Sequence, residues 1–339
     1  MRSQNGSGME TEPGRLPASA CDADGPLLAV DDLRVRLRGQ EHDVHALQGV
    51  SFDVAPRRRV GLVGESGSGK SLTAAAIMGM LPPQAVVDGG RIDLDGLDLV
   101  RASERQMRRV RGTRLSVVFQ HAKASLNPVL TVGSQIAEVL RIHKGLSRRE
   151  SHEGAVDLLR QMGIPNPQER AREYAHQYSG GMAQRATLAL TMACSPDLLI
   201  ADEPTTGLDV TVEEQVLELL TSEIDARGAS LLFISHDLGA VARICDDVVV
   251  LYAGMVMESG PAERVLKDPR NPYTRELLRC FDRQPGQRLH TIEGQVPTIT
   301  TPHTRCPFTD RCPSVGPECH SSVPQLREMD GRKVACHRV

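Results

Sequence analysis

Residues 64–71 read Gly-Glu-Ser-Gly-Ser-Gly-Lys-Ser and follow the apolar run Val60-Gly61-Leu62-Val63. This is the GxxxxGK[ST] pattern in a strand–loop–helix setting, which makes it a phosphate cradle. Gly64, Gly67 and Gly69 let backbone N–H groups turn inward around phosphate oxygens, with Ser66 and Ser68 between them. Lys70 adds a point charge, and Ser71 offers a hydroxyl to magnesium. The helix that starts there aims its positive end at the same anion. A plain Gly/Ser turn is the bland alternative, but a chance match in a chain this long is on the order of a per cent.

A second group follows downstream. Leu198-Leu199-Ile200-Ala201 is an apolar strand that ends in Asp202 and Glu203. In open α/β sheets ligands sit at the carboxyl ends of strands, so this acidic pair belongs beside the phosphate loop. Asp202 can then hold magnesium, and Glu203 is placed to be the general base for an attacking water. Ser179-Gly180-Gly181 lies just upstream and opens a helix, a second anion cradle by the same physics.

The elements that must position these groups read as follows. Residues 28–37 and 47–54 have strand patterns, and 72–80 form the helix after the phosphate loop, stopped by Pro82-Pro83. Leu115–Phe119 is a buried strand, and 121–178 turns helical. Strands return at 198–201, 231–234 and 248–252. A helix between the first two carries a capping box, Thr211 with Glu214, and ends at Gly228. Short strands buried on both faces and alternating with helices mean an α/β fold with a mainly parallel sheet.

At 339 residues the chain can hold one large domain or a domain plus a small appendage. Residues 1–26 are expected to be a disordered tail, 27–281 the main domain with a helical subdomain at about 121–180, 282–304 a linker, and 305–339 a four-cysteine region. Net charge is −3, which gives no global case for nucleic acid. A local basic stretch (Arg101, Arg105, Arg108, Arg109, Arg111, Arg114) reads as a solvated face, with a partner- or membrane-facing patch as the alternative. No run approaches the ~18 apolar residues needed to span a bilayer, and the N-terminus has no secretory pattern. A cytosolic topology is therefore expected, in which eight cysteines are not a disulfide framework.

Taken together, the ordered motifs resemble those of the ABC ATPases over residues 27–281. Ser179–Arg185 resembles the signature motif, Gln120 the Q-loop glutamine, Leu208-Asp209 the D-loop, and Ser235-His236-Asp237 the switch histidine. The resemblance implies an ABC-type nucleotide-binding domain: a RecA-like core sheet, an antiparallel β subdomain and a helical subdomain. It also implies that two such subunits pair head to tail around ATP and Mg2+. Ser179, Gly180, Gly181 and Asp209 would then face the partner's nucleotide. His236 would hold the γ-phosphate, and Gln120 would touch the magnesium and relay to a partner.

Closer still is the likeness to ATP-binding subunits of dipeptide/oligopeptide importers. It rests on Ala124–Gly133, Leu208–Val212, Asn271-Pro272-Tyr273-Thr274, and the tail from Cys306-Pro307-Phe308 to Val334-Ala335-Cys336-His337. This implies a peripheral subunit on the cytoplasmic face of the membrane. Its partners would be two integral-membrane permease subunits, a second ATPase and, indirectly, an extracytoplasmic solute-binding protein, with no nucleic acid. Peptides are the expected cargo, with nickel or another small solute as alternatives. A soluble ABC ATPase with a metal- or redox-sensing tail is the reading from another class. Two departures stand out. His121-Ala122 replaces the usual Asp-Pro after Gln120, and Leu37 occupies the place of an adenine-stacking aromatic, leaving His45 or an arginine for that task.

Cys306, Cys312, Cys319 and Cys336 are spaced Cys-x5-Cys-x6-Cys-x16-Cys, without a CxxC pair. A zinc ribbon is therefore not the first choice. Four thiolates suit an iron–sulfur cluster, and the importer resemblance implies a [4Fe–4S] centre; zinc or unligated thiols are the alternatives. The linker before 305 is expected to leave this tail free to fold around a metal centre rather than a core. Cys21 falls in the N-terminal tail, and Cys194, Cys245 and Cys280 read as ordinary buried residues.

Overall fold

The computed structural model describes residues 25–120, 122–281 and 290–339. Residues 1–24 of the N-terminal tail, with Cys21, together with His121 and residues 282–289 of the linker, lie outside these.

Two sheets carry the fold. The smaller contains β1 (Leu28–Leu37), β2 (Val44–Val54), β4 (Ala85–Leu94) and β5 (Leu97–Asp98), all antiparallel, in the order β2-β1-β4-β5. The larger has eight strands. Its parallel part is β9 (Asp247–Tyr252), β3 (Arg59–Val63), β8 (Ser230–Ile234), β7 (Leu198–Asp202) and β6 (Leu115–Val118), in that order. Beyond β9 come β10 (Met255–Pro261), β12 (Arg332–Ala335) and β11 (Leu326–Met329), all antiparallel.

The apolar runs that mark these central strands exist because both faces of the sheet are covered. Leu231 and Phe233 of β8 enter one core with the helical subdomain, while Leu232 and Ile234 enter another beneath the antiparallel sheet. β9 divides in the same way: Val248 and Val250 face one core, Val249 and Leu251 the other. The helical stretch resolves into Ala122–Ser125, Val132–Lys144, Arg148–Gln161 and Pro167–Arg170.

Several elements escape the sequence pattern. β4, β5 and β10 were not anticipated, because Gly89-Gly90 and short register-shifted pairing hide any period of two. The helix Val210–Arg227 is capped by Asp209, whose Oδ1 accepts from the Val212 N–H at 3.1 Å, not by Thr211. Position sets this: Asp209 is the last extended residue, and only such a residue can turn its side chain back on the first turn. The basic stretch is partly spent within the chain. Arg114 pairs with Asp95 and Asp197, Arg111 with Glu104, and Arg101 with Asp98.

Nor is the tail free of the core. β12 and β11 extend the main sheet through β10, and Phe308, 1% exposed, packs on Tyr252 and Tyr273 with ring centroids 5.3 and 5.2 Å away. The physical reason is economy of apolar surface. The tail cannot enclose a core alone, so it borrows one. Residues 290–304 have no regular structure but lie along β2: the His45 N–H donates to Ile299 O at 2.7 Å, and the His303 N–H to Gln48 Oε1 at 2.7 Å.

Candidate functional site

The phosphate loop leaves β3 at Gly64 and enters the helix Lys70–Ile77 at Gly69, its N-cap. Only glycine fits at either end. A Cβ at Gly64 (φ +150°) would lie 2.1 Å from Leu251 O, and one at Gly69 (φ +107°) 2.5 Å from Leu47 Cδ2. Ser66 and Gly67 are exposed at the tip, whereas Ser68 is buried with no partner for its hydroxyl among the described residues. Lys70 is 7% exposed, and its ammonium donates to Gly64 O (2.8 Å) and Glu65 O (3.0 Å). Burial lowers its pKa, a shift opposed by the carboxylates of Glu203, Asp202 and Glu65.

The strand ends complete the site. Ser71 Oγ donates to Asp202 Oδ1 at 3.2 Å, at the carboxyl end of β7. Burial raises the Asp202 pKa, with Glu203 adding like-charge repulsion and Ser71 and Lys70 opposing it. Glu203 sits at φ +47°, a costly backbone for a non-glycine residue, held by its N–H donating to Ile234 O at 2.9 Å. Its Oε2 accepts from the Gln120 amide (3.0 Å) and the Thr206 hydroxyl (3.0 Å), and its Oε1 lies 3.4 Å from His236 Nδ1. Lys70, Ser71, Asp202, Glu203, Gln120 and His236, far apart in sequence, thus meet at one end of one sheet.

Ser179, Gly180 and Gly181 do not join this group within the chain. Ser179 caps the helix Gly180–Met192 by accepting from the Met182 N–H at 3.2 Å. Gly181 abuts Val212, since a Cβ there would lie 2.5 Å from Val212 Cγ1. The exposed Ser179–Gly180 turn and exposed Asp209 therefore form a separate face. Arg36 is not available to stack on a base, because its guanidinium is gripped by Asp88 and Asp43; His45 stays half-exposed on β2.

Two contributors were not read from the sequence. Thr206, which holds Glu203, follows the acidic pair by three residues, and nothing in its type marks it. Tyr273 lies in the Asn271–Thr274 stretch. Asn271 caps that helix, and Tyr273 presents its hydroxyl to the Glu65 N–H at 3.0 Å.

The four tail cysteines line one small cavity with Met257, Phe308 and Thr309. Burial raises the pKa of Cys306, Cys312 and Cys336, and the thiols raise one another. Against this, the backbone N–H two residues on (Phe308, Ser314, Arg338) turns toward each of these three sulfurs and favours the thiolate. No group of three or more His, Cys, Asp or Glu among the described residues stands ready to hold a metal ion. Cys245 is buried, and Cys194 and Cys280 are half-buried.

Comparison with known proteins agrees with this geometry. The ABC transporter profile matches residues 47–206, and the oligopeptide/dipeptide transporter C-terminal region matches 257–319. A probable D,D-dipeptide transport ATP-binding protein of Escherichia coli is 45% identical over 314 residues, 92% of this chain and 95% of that one. A dipeptide transport ATP-binding protein of Bacillus subtilis is 42% identical over 314 residues, 91% and 94% of the two chains. A putative peptide import ATP-binding protein of Brucella melitensis is 44% identical over 319 residues, 90% and 94%. In fold, an ATP-binding cassette solved as a dimer in a post-hydrolysis state with ADP and Pi superposes with TM-score 0.63 at 22% identity, covering 69% of this chain and 98% of that one.

Proposed function

The chain belongs to the ABC transporter family, and from that premise we propose that it is the ATP-hydrolysing subunit that powers import of di- or oligopeptides through a membrane permease. The observation that carries the reading is the Glu203 carboxylate, held by Gln120, Thr206 and His236 beside the Ser71–Asp202 pair and the phosphate loop. A carboxylate so oriented takes a proton from water at the loop's mouth. Lys70 binds the β- and γ-phosphates, and His236 contacts the γ-phosphate from the same subunit. Bound magnesium would screen the phosphate charge, and Ser71, Asp202 and Gln120 are the residues to hold it.

The exposed Ser179–Gly180 turn, with Gly181 behind it, supplies the second half of a partner's site, so ATP closes a head-to-tail pair of ATPase subunits. Among the described residues no helix is long and apolar enough to cross a membrane. In this reading other chains form the permease, with this subunit docked peripherally on their cytoplasmic side and the permease fed by an extracytoplasmic binding protein. The peptide and dipeptide transport relatives support peptides as the cargo. The test is reconstitution with the permease subunits and a peptide-loaded binding protein. ATP hydrolysis should rise with peptide and disappear in Glu203→Gln; stimulation by nickel complexes and not by peptides would overturn the cargo.

A second reading concerns the tail. Convergence of four cysteines on one cavity, three with an N–H aimed at sulfur, supports a ligand set for a [4Fe–4S] cluster. Cys306, Cys312, Cys319 and Cys336 would be the four thiolates that hold such a cluster. Protein purified without oxygen should be brown and carry about four irons per chain. Stoichiometric zinc without iron or sulfide would overturn the cluster.

A further inference from the structure

Arg311 sits in the tail, in the turn Thr309–Arg311 between Cys306 and Cys312, yet it reaches the phosphate loop. Its side chain is 6% exposed and that of Glu65, the second residue of the loop, 25%. The guanidinium is matched donor for donor. Nη1 donates to Glu65 Oε2 (2.8 Å) and the Tyr252 hydroxyl (3.2 Å), Nη2 to Glu65 Oε1 (2.9 Å) and Ile292 O (3.3 Å), and Nε to Glu293 O (2.8 Å). All five N–H groups have an acceptor, and the fork meets the carboxylate bidentately, an arrangement lysine cannot copy.

Glu65 is held from three sides at once. Arg311 takes its side chain, Tyr273 its N–H, and Lys70 donates to its carbonyl. The position of Glu65 therefore bears on where the Lys70 ammonium points. Behind Arg311, Phe308 packs on Tyr252 and Tyr273 and also lines the cysteine cavity.

We propose that Arg311 is a positioning residue that ties the four-cysteine pocket to the phosphate loop, so that the packing of the pocket sets how well the loop is organised to grip ATP. The proposal rests on the ATPase reading above. A loop held in its binding conformation spends less free energy on ordering when the nucleotide arrives, and loosening it weakens binding more than turnover at saturation.

The test uses the full chain assembled with its partner subunits, and measures Mg-ATP affinity, kcat, KM and the thermal midpoint. Arg311→Ala should raise the Kd and KM about tenfold with kcat within about twofold. Arg311→Lys should recover only part of the loss. Glu65→Gln, which leaves the tail intact, should raise Kd similarly, and the double variant should be no worse than either single. Cys336→Ser, in the wall of the pocket, should weaken ATP binding in the wild-type chain and add nothing in Arg311→Ala. The proposal fails if Arg311→Ala lowers only the thermal midpoint while the folded protein keeps wild-type ATP affinity. It fails equally if Glu65→Gln is silent, or if the Arg311 and Cys336 effects simply add. Undiminished ATP binding in Lys70→Ala would instead sink the ATPase reading beneath it.

Discussion

At the phosphate end of the sheet, the side chains that meet leave a strand end or a helix start, whereas around the cysteine pocket the thiols hang on turns, one short helix and a strand end. Lys70 opens a helix, Asp202 closes β7, and Gln120 and His236 follow β6 and β8 by two residues each. Cys306 and Cys312 lie in turns, Cys319 in the five-residue helix Pro317–Ser321, and Cys336 just after β12. The first site inherits its geometry from the hydrogen-bonded register of a parallel sheet. The second depends on packing: Thr309 Oγ1 donates to Cys306 O and Cys319 O, and Phe308 packs edge-on against a pair of touching tyrosines of the main core. A site carried by a sheet should tolerate loss of a functional side chain without unfolding. One carried by packing should fail with its scaffold.

The most severe test of that contrast is Lys70→Ala. It should reduce ATP binding by roughly 100-fold or more, by removing the loop's point charge, while the fold stays intact. Calorimetric titration beside a thermal melt reads both. A large loss of stability would mean that the phosphate site is not independent of its chemistry.

Glu203→Gln comes next. Hydrolysis should fall by about 10²–10⁴-fold while Mg-ATP still binds, because the amide keeps the shape and loses the proton acceptor. Single-turnover measurement with the assembled transporter decides it, and a near-normal rate would show that another group takes the proton.

On the packing side, Phe308→Ala should cost about 3–5 kcal/mol by opening a cavity among Tyr252, Tyr273 and the pocket. Urea unfolding would show it, with all four tail cysteines becoming reactive to thiol reagents together. If only the nearby Cys306 became reactive, the pocket would not be one packed unit.

The smallest effect concerns the strap along β2. Burial holds the His303 pKa below its ordinary value of 6.5, with His45 adding repulsion, while the ring bonds Ala253 O. Because the folded value is depressed, this contribution is complete above about 6.5 and is lost as pH falls below it. Hydrogen-exchange protection at the His45 amide, donor to Ile299 O, should therefore weaken on acidification by about twofold to fivefold. His303→Gln should flatten that dependence. An unchanged pH profile would mean that the ring does not anchor the strap.

How much of each site was legible follows from the same contrast. Gly64–Ser71 and Asp202–Glu203 announce themselves because a phosphate cradle needs glycines and a lysine in a fixed local order, and a buried parallel strand needs an unbroken apolar run before its acidic end. The elements missed carry no such order. β4 holds Gly89-Gly90 and two register shifts against β1, and Asp209 displaced Thr211 as the helix cap by position alone.

By itself, then, the sequence determined the phosphate site, the alternation of helices and strands around it, and the four cysteines as a set, since each depends on residue type at short range. Only the tertiary structure decided that the tail strands join the main sheet, that Tyr273 and Thr206 serve the site, and that Arg311 spans from the cysteine pocket to Glu65, 246 residues away. Contacts of that kind depend on which surfaces are brought together when the tail borrows the core. No local pattern of residue types encodes them: Arg311 or Glu65 alone, for instance, reads as an ordinary exposed charge.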